Sequence, residues 1–328
     1  MGTNGPFPTR HAAIRVWLAV SVAHHLSPTK NDEEPKISPA LTVTPRRPSR
    51  TAVLTAVARA LHREEPPPWV LDDPLAMGLA GDDGPAVARR FRTELSTESL
   101  LSFTRWVCVR ARLPEDIVEQ AVEQGVEQYV ILGAGLDSFA YRRSDLVSHL
   151  RVYEVDHPAS QAWKRQRLQE MGIRPPANLT YAPIDFEHQT LRRGLTTARF
   201  DFAAQAVFSW IGVTMYLTAE AIRSTLATIA TCAPGTRIVL TYNKPLSALP
   251  GIALELDSAI RTFATEAGEP FLSLFIPEEI ETLLREIGFA DIMHFGPEEA
   301  VRTYFPGRTD VRFGGAQRLI VATVAANR

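Results

Sequence analysis

The sequence predicts an α/β fold: a mostly parallel sheet with helices on both faces, preceded by an N-terminal helical cap. Three observations carry this. From residue 128 onward, short apolar runs alternate with helix-forming segments. One run, residues 129–132, ends in the glycine turn Gly133-Ala-Gly135. The next, residues 152–155, leads to two carboxylates, Glu154 and Asp156.

Taken in order, residues 1–48 read as a flexible extension. Seven of the 24 prolines lie there, and residues 27–48 are polar and aperiodic. VWLAVSVA (16–23) follows Arg10 and Arg15 as a secretion signal would. The run is short, and it reads first as a local helix or part of the extension. Residues 49–127 read as the cap. TAVLTAVARALH (51–62) is rich in helix formers and is broken by Pro66 to Pro68. A helix over 98–112 is expected to stop before Pro114, and another over 115–124 to end at Gly125.

Residues 128–328 read as the core of one domain spanning 49–328. Strands are expected at 129–132, 152–155, 180–184, 202–208 and 237–242, with late strands at 291–295 and 318–324. Thr218 caps a helix through Thr231, with Glu220 in its first turn, where the helix dipole favours acid. Pro277 opens a helix to Ile287, with Glu278 and Glu279 behind it and Gly288 as its stop. Repeated strand–helix units imply a largely parallel sheet. Residues 243–275 read as a lid, with Leu246, Leu249, Ile252, Leu254, Leu256, Ile260 and Phe263 on its apolar faces. The string FGPEEAVRTYFPGR reads as a late loop.

Bulk properties exclude several function classes. Net charge is −2, so nothing in the overall electrostatics draws the chain to nucleic acid or an anionic membrane. No apolar run reaches the ~18 residues of a bilayer span. Cys108 and Cys232 have no paired spacing, so a disulfide framework is not expected and a reducing cytoplasm fits. The eight histidines are scattered without a metal-ligand spacing, so no metal site is expected.

A strand, a glycine turn, a helix and a second strand ending in acid is a common way to hold a nucleoside cofactor. The glycines admit close backbone approach, and a carboxylate accepts from ribose hydroxyls. Ser138 replaces the third glycine that a pyrophosphate turn favours, and Asp137 would repel phosphate at a helix N-terminus. Both point away from a dinucleotide and toward the cationic S-adenosylmethionine. Glu154 and Asp156 lie two apart and project to one side. Asp185, ending the third strand, can accept from an adenine amino group, and Phe186 can cover the ring. Arg110 can clamp a cofactor carboxylate. Trp210 reads equally as core or site, and Tyr216 borders the same edge. Tyr304 and Arg302 are candidate acceptor contacts in the late loop.

These strings resemble the leucine carboxyl methyltransferase family, especially its bacterial S-adenosylmethionine-dependent branch, some of whose members work in polyketide biosynthesis. The likeness rests on SRTAVLTAVARAL (49–61), VRAR around Arg110, QYVILGAGLDSFAYR (128–142), YEVDHPASQAWKRQRL (153–168), YAPIDFE (181–187), SWIGVTMYLTAEAI (209–222) and GEPFLSLFIPEEIETLLREIGF (268–289). It implies the class I methyltransferase (Rossmann-like) sheet of seven strands with the last antiparallel. It places Arg110, Gly133, Asp156, Asp185 and Phe186 on cofactor-binding positions, with Gly135 in the same turn and Glu154 alongside. Ile211 stands where members acting on a protein C-terminus carry glutamate, and Phe139 where many bacterial members carry arginine.

The expected activity is O-methylation of a small molecule by in-line transfer. An ionised carboxylate needs no base, whereas a hydroxyl does. No His/Asp base motif stands beside the cofactor strings, which favours a carboxylate. Two rivals remain at this point: a non-catalytic S-adenosylmethionine-binding protein, and an NAD-type oxidoreductase, which would want the third glycine and a hydride-handling dyad.

Overall fold

Alternation along the first strand organises the molecule. In β1 (Gln128–Leu132), Val130 and Leu132 face one core while Tyr129 and Ile131 face another. All five residues are buried, as a parallel strand covered on both faces requires. The computed structural model describes residues 49–185, 189–248, 257–258, 260–262, 264–265 and 268–326, which lie within one compact unit, Arg46–Arg328. The arm 1–48, Phe186 and, of the expected lid, Leu249, Ile252, Leu254, Leu256 and Phe263 lie outside the described residues.

Seven strands form one sheet among the described residues, in the order β3-β2-β1-β4-β5-β7-β6. The others are β2 (Arg151–Asp156), β3 (Leu179–Pro183), β4 (Val207–Trp210), β5 (Arg237–Asn243), β6 (Phe289–Phe295) and β7 (Gln317–Val324). The first five run parallel, and β7 is antiparallel to both β5 and β6. This is the expected seven-stranded sheet. Its order reverses between β1 and β4, so the crevice for a ligand opens there, beyond the strands' carboxyl ends.

One face is covered by Leu191–Thr197, Ala219–Ile229 and Pro277–Ile287, which contribute Leu191, Leu195, Ile222, Leu226, Ile229, Ile280 and Leu284 to its core. Thr218 caps the second of these as expected, accepting from the Ala221 amide. The other face carries Thr97–Glu123, which presents Trp106, Val109, Leu113, Ile117, Val118 and Ala121. A third core joins Arg50–His62 to Gly84–Glu94 through Val53, Val57, Leu61, Ala88 and Phe91, and reaches the glycine turn at Leu136. Trp210 belongs to the first core and is 3% exposed, which settles it as a core residue.

Three expectations are corrected. Residues 98–112 and 115–124 form one helix that runs through Pro114. An interior proline costs ~3 kcal/mol, but the buried stripe on both sides of it packs on the same sheet face and keeps the helix whole. The fourth strand begins at Val207, five residues later than expected. Phe202 packs edge-on against Phe200 at 4.9 Å, and the Ala203 amide donates to Asp201 at 2.9 Å, so this apolar stretch is satisfied by a turn. The late loop contains a helix, Pro297–Tyr304, with Pro297 in its first turn and the Gly296 amide donating to Glu299 at 2.9 Å.

Candidate active site

The site forms where β1, β2, β4 and β5 end. Gly133 and Gly135 both hold left-handed backbone, with φ of 66° and 47°. The Gly133 and Ala134 amides donate to the Val155 carbonyl at 2.8 and 3.1 Å, which lays the turn against β2. A Cβ on Gly133 would stand 2.5 Å from Val213 Cγ2, so the backbone here leaves no room for a side chain.

Asp156 ends β2 and is half-buried. Its Oδ2 accepts from the Gly135 amide and its Oδ1 from the His157 amide at 2.6 Å. Each oxygen keeps a second lone pair for a ligand hydroxyl. Burial pushes the carboxyl up, an effect that the Gly135 and His157 amides only partly offset. Glu154 shares that side of the strand but sits at a different depth. It is fully buried and pairs with Lys164 Nζ at 2.7 Å, and its Oε1 has no hydrogen-bond partner. Burial pushes its carboxyl up despite Lys164. Glu154 therefore lies beneath the strand end, not in a solvated position beside Asp156.

Arg110 faces the turn from the long helix Thr97–Glu123. Its guanidinium stands 3.5 Å from where a Cβ on Gly212 would lie, just past β4. Burial lowers its pKa to about 10, which leaves it charged at neutral pH. Its Nη1 donates to Gln317 Oε1 at 2.8 Å. Among the described residues no carboxylate pairs with it. A half-buried cation with only a neutral partner is an anion receptor in waiting. Gln317 also accepts from Trp106 Nε1 at 3.3 Å and donates to Asn243 at 3.3 Å, so the first residue of β7 and the last of β5 hold Arg110 in place.

Tyr216 lies on the turn after β4, close enough to Arg110 for the guanidinium to act on its phenol. Burial pushes its phenol up, so it stays protonated at neutral pH. It lies beside Thr51, whose hydroxyl donates to Glu269 at 2.8 Å, and its ring meets Phe271 edge-on at 5.5 Å. Segment 268–276 is tied across this edge: the Leu272 amide donates to the Met215 carbonyl at 2.7 Å, and Ser273 Oγ to the Leu217 carbonyl at 2.6 Å.

The structure thus brings together Arg110, Gly133, Gly135, Asp156 and Tyr216. Asp185 follows β3 at the sheet's carboxyl edge and is half-buried. The two late-segment candidates lie elsewhere. Tyr304 donates to Asp116 on the long helix at 2.6 Å, and the Arg302 side chain is 73% exposed with Glu299 as its partner at 3.5 Å. Gln317, Thr51 and Glu269 escape a reading of the sequence. The late strand was expected one residue later, at Arg318, and Thr51 and Glu269 are 218 residues apart. Among the described residues no group of three or more His, Cys, Asp or Glu is arranged to hold a metal, and no helix is long and apolar enough to cross a membrane. Cys108 and Cys232 are buried and unpaired.

Comparison with known proteins gives this geometry a context. The family model described as leucine carboxyl methyltransferase matches residues 52–230. A Bacillus subtilis (strain 168) protein named "Putative S-adenosyl-L-methionine-dependent methyltransferase YktD" is 30% identical over 284 residues, spanning 80% of this chain and 93% of that protein. A Mycobacterium tuberculosis (strain ATCC 25177 / H37Ra) protein, "Putative S-adenosyl-L-methionine-dependent methyltransferase", is 34% identical over 191 residues, spanning 58% of this chain and 62% of that protein. Among solved structures, a "putative methyltransferase from Thermobifida fusca YX" shares the fold at a TM-score of 0.52 and 16% identity, spanning 85% of this chain and 96% of that one.

Proposed function

The chain belongs to the leucine carboxyl methyltransferase family and is an S-adenosyl-L-methionine-dependent methyltransferase; from that premise we propose that it methylates an oxygen of a small molecule, a carboxylate first. The observation that carries the cofactor assignment to particular residues is the pairing of opposite charges across one glycine turn. Arg110 is a cation without an anionic partner among the described residues, and Asp156 is a carboxylate with lone pairs to spare. S-adenosylmethionine offers a carboxylate to the first and ribose hydroxyls to the second. The tight, side-chain-free turn at Gly133 suits backbone contact with it. Asp185 is proposed to accept from the adenine amino group, with Phe186 beside the ring.

When bound, the cofactor supplies a methyl group on a sulfonium. The chain's own part is to bind and to align. Arg110, held by Gln317, fixes the amino-acid end, and Asp156, held by two backbone amides, fixes the ribose. Tyr216 stays protonated and serves as a hydrogen-bond donor to an acceptor oxygen. An ionised carboxylate acceptor then needs only alignment, which is the largest demand of a displacement of this kind. Ile211, which packs against the sheet core, stands where protein-directed members carry glutamate, and this supports a small acceptor.

A hydroxyl acceptor is the second reading, and one observation favours it. Thr51, beside Tyr216, donates to Glu269 at 2.8 Å, which sets a carboxylate near the phenol. That carboxylate is a base for the proton of an acceptor hydroxyl. Release of S-adenosylhomocysteine measured over matched carboxylic acids and phenols separates the readings. Turnover on acids that survives Glu269→Gln supports the first. Turnover on phenols that Glu269→Gln abolishes supports the second. Turnover on neither, with the cofactor bound, would contradict both.

A further inference from the structure

Resting on the cofactor reading above, we propose that Asp73 is a positioning residue for the cofactor turn, acting through Arg59 and Ser138. It lies 60 residues before Gly133 in the sequence, within the span 52–230 that matches the family model.

The turn is gripped from two sides. On its inner side the Gly133, Ala134 and Gly135 amides rest on β2, through the Val155 carbonyl and Asp156. On its outer side the contacts come from the cap. Arg59 Nη2 donates to the Leu136 carbonyl at 2.7 Å, while its Nε donates to Asp73 Oδ2 at 2.8 Å. The same Asp73 oxygen accepts from Ser138 Oγ at 2.7 Å. Ser138 in turn accepts from Arg142 Nε at 2.9 Å, and Arg142 pairs with Glu115 of the long helix. Asp73 Oδ1 accepts from the Leu75 amide at 3.1 Å. Residues 136 and 138, on either side of Asp137, are thus tied to one carboxylate, the first through Arg59 and the second directly.

The group is built for rigidity. The Asp73 side chain is fully buried, Arg59 is 8% exposed and Ser138 2%. Burial alone would raise the Asp73 carboxyl, but Arg59, Arg142 and Ser138 outweigh it and hold it below the ordinary range, so it is ionised at neutral pH. A charged carboxylate between two guanidiniums in a dry site allows one geometry. Arg59 does a job that lysine cannot. Its planar fork reaches Asp73 and the Leu136 carbonyl at once, whereas an ammonium at the end of a shorter stem cannot span both with that geometry.

The test compares two buried arginines of the same cap. Arg105 donates to Glu65 at 2.6 and 2.8 Å and is 7% exposed, but it makes no contact with the turn. S-adenosylmethionine affinity and thermal midpoint are measured for the full chain and for Arg59→Lys, Ser138→Ala and Arg105→Lys. Arg59→Lys is expected to weaken cofactor binding about tenfold, as loss of a charge-assisted hydrogen bond would, and Ser138→Ala several-fold. Arg105→Lys is expected to lower the midpoint comparably and leave affinity unchanged. If Arg59→Lys does not fold, Ser138→Ala carries the test, since it removes only one hydroxyl. Wild-type affinity in the turn variants, or equal loss of affinity in Arg105→Lys, would overturn the inference. Absence of cofactor binding by the wild type would instead overturn the cofactor reading, and this inference with it.

Discussion

Asp156 is the residue on which the cofactor reading turns, and its burial gives it a pH signature. Its carboxyl is pushed up, and the ionised form is the one that accepts from ribose hydroxyls. Cofactor affinity should therefore be full above that raised pKa and fall as pH drops through it, at a pH above the ordinary aspartate range. Glu154, also raised, and Asp137, Lys164 and His157 share this surrounding, so the wild-type profile alone does not isolate Asp156. In Asp156→Asn the affinity should be weaker and this part of the pH slope absent; calorimetric titrations across the acid range check it. The two glycines separate on sterics. Gly133→Ala must place a Cβ 2.5 Å from Val213 and also adopt positive φ, which alone costs ~1–2 kcal/mol. In Gly135→Ala the new Cβ would meet Ala52 at an ordinary 3.5 Å, leaving only the backbone strain. Gly133→Ala should lose more cofactor affinity and more thermal stability than Gly135→Ala. Both glycines and Asp156 were legible in the sequence because a turn needing left-handed backbone and a strand-end acid leave local marks. The burial of Glu154 was not legible, since a two-residue period gives a side chain's direction but not its depth.

At the scale of elements, caps and stops were the most readable features. Thr218, Pro277 and Gly288 stand where the sequence placed them. Thr218→Ala removes a cap bond to the Ala221 amide and should cost ~1 kcal/mol of stability. Cofactor affinity should not change, because the bond removed lies within the start of its own helix; paired thermal melts and titrations check both. Pro114 and the 202–206 stretch were misread for one shared reason. Local propensity set the expectation, and tertiary packing decided the outcome. A continuous apolar stripe on the sheet carries the helix through Pro114, while Phe200 and Phe202 pair as aromatics where a ladder was expected. The interior proline also bears on the site. It cannot donate to the carbonyl four residues earlier, which belongs to Arg110.

For the whole molecule, the parallel part of the sheet was readable from alternation and its antiparallel last strand through the family resemblance, but the contacts that complete the site were not. Gln317 under Arg110 is 207 residues from it, and Glu269 is 218 from Thr51. No periodicity or motif spacing reports such pairs; only the antiparallel return of β7 and the passage of segment 268–276 across the edge create them. The same holds for Asp73, whose link to Ser138 spans 65 residues. The compact unit that holds the described elements starts at Arg46. A protein of residues 49–328 is therefore expected to fold and to bind cofactor as the full chain does. A markedly weaker affinity would assign the first 48 residues a part in the site.

The central claim is that one glycine turn, flanked by Arg110 and Asp156, holds S-adenosylmethionine. The most direct test is calorimetric titration of the full chain with S-adenosylmethionine, beside Asp156→Ala and with NAD as the control ligand. The expected result is binding by the wild type, loss of most of that affinity in Asp156→Ala, and none for NAD. Binding undiminished by Asp156→Ala, or a preference for NAD, would contradict the account.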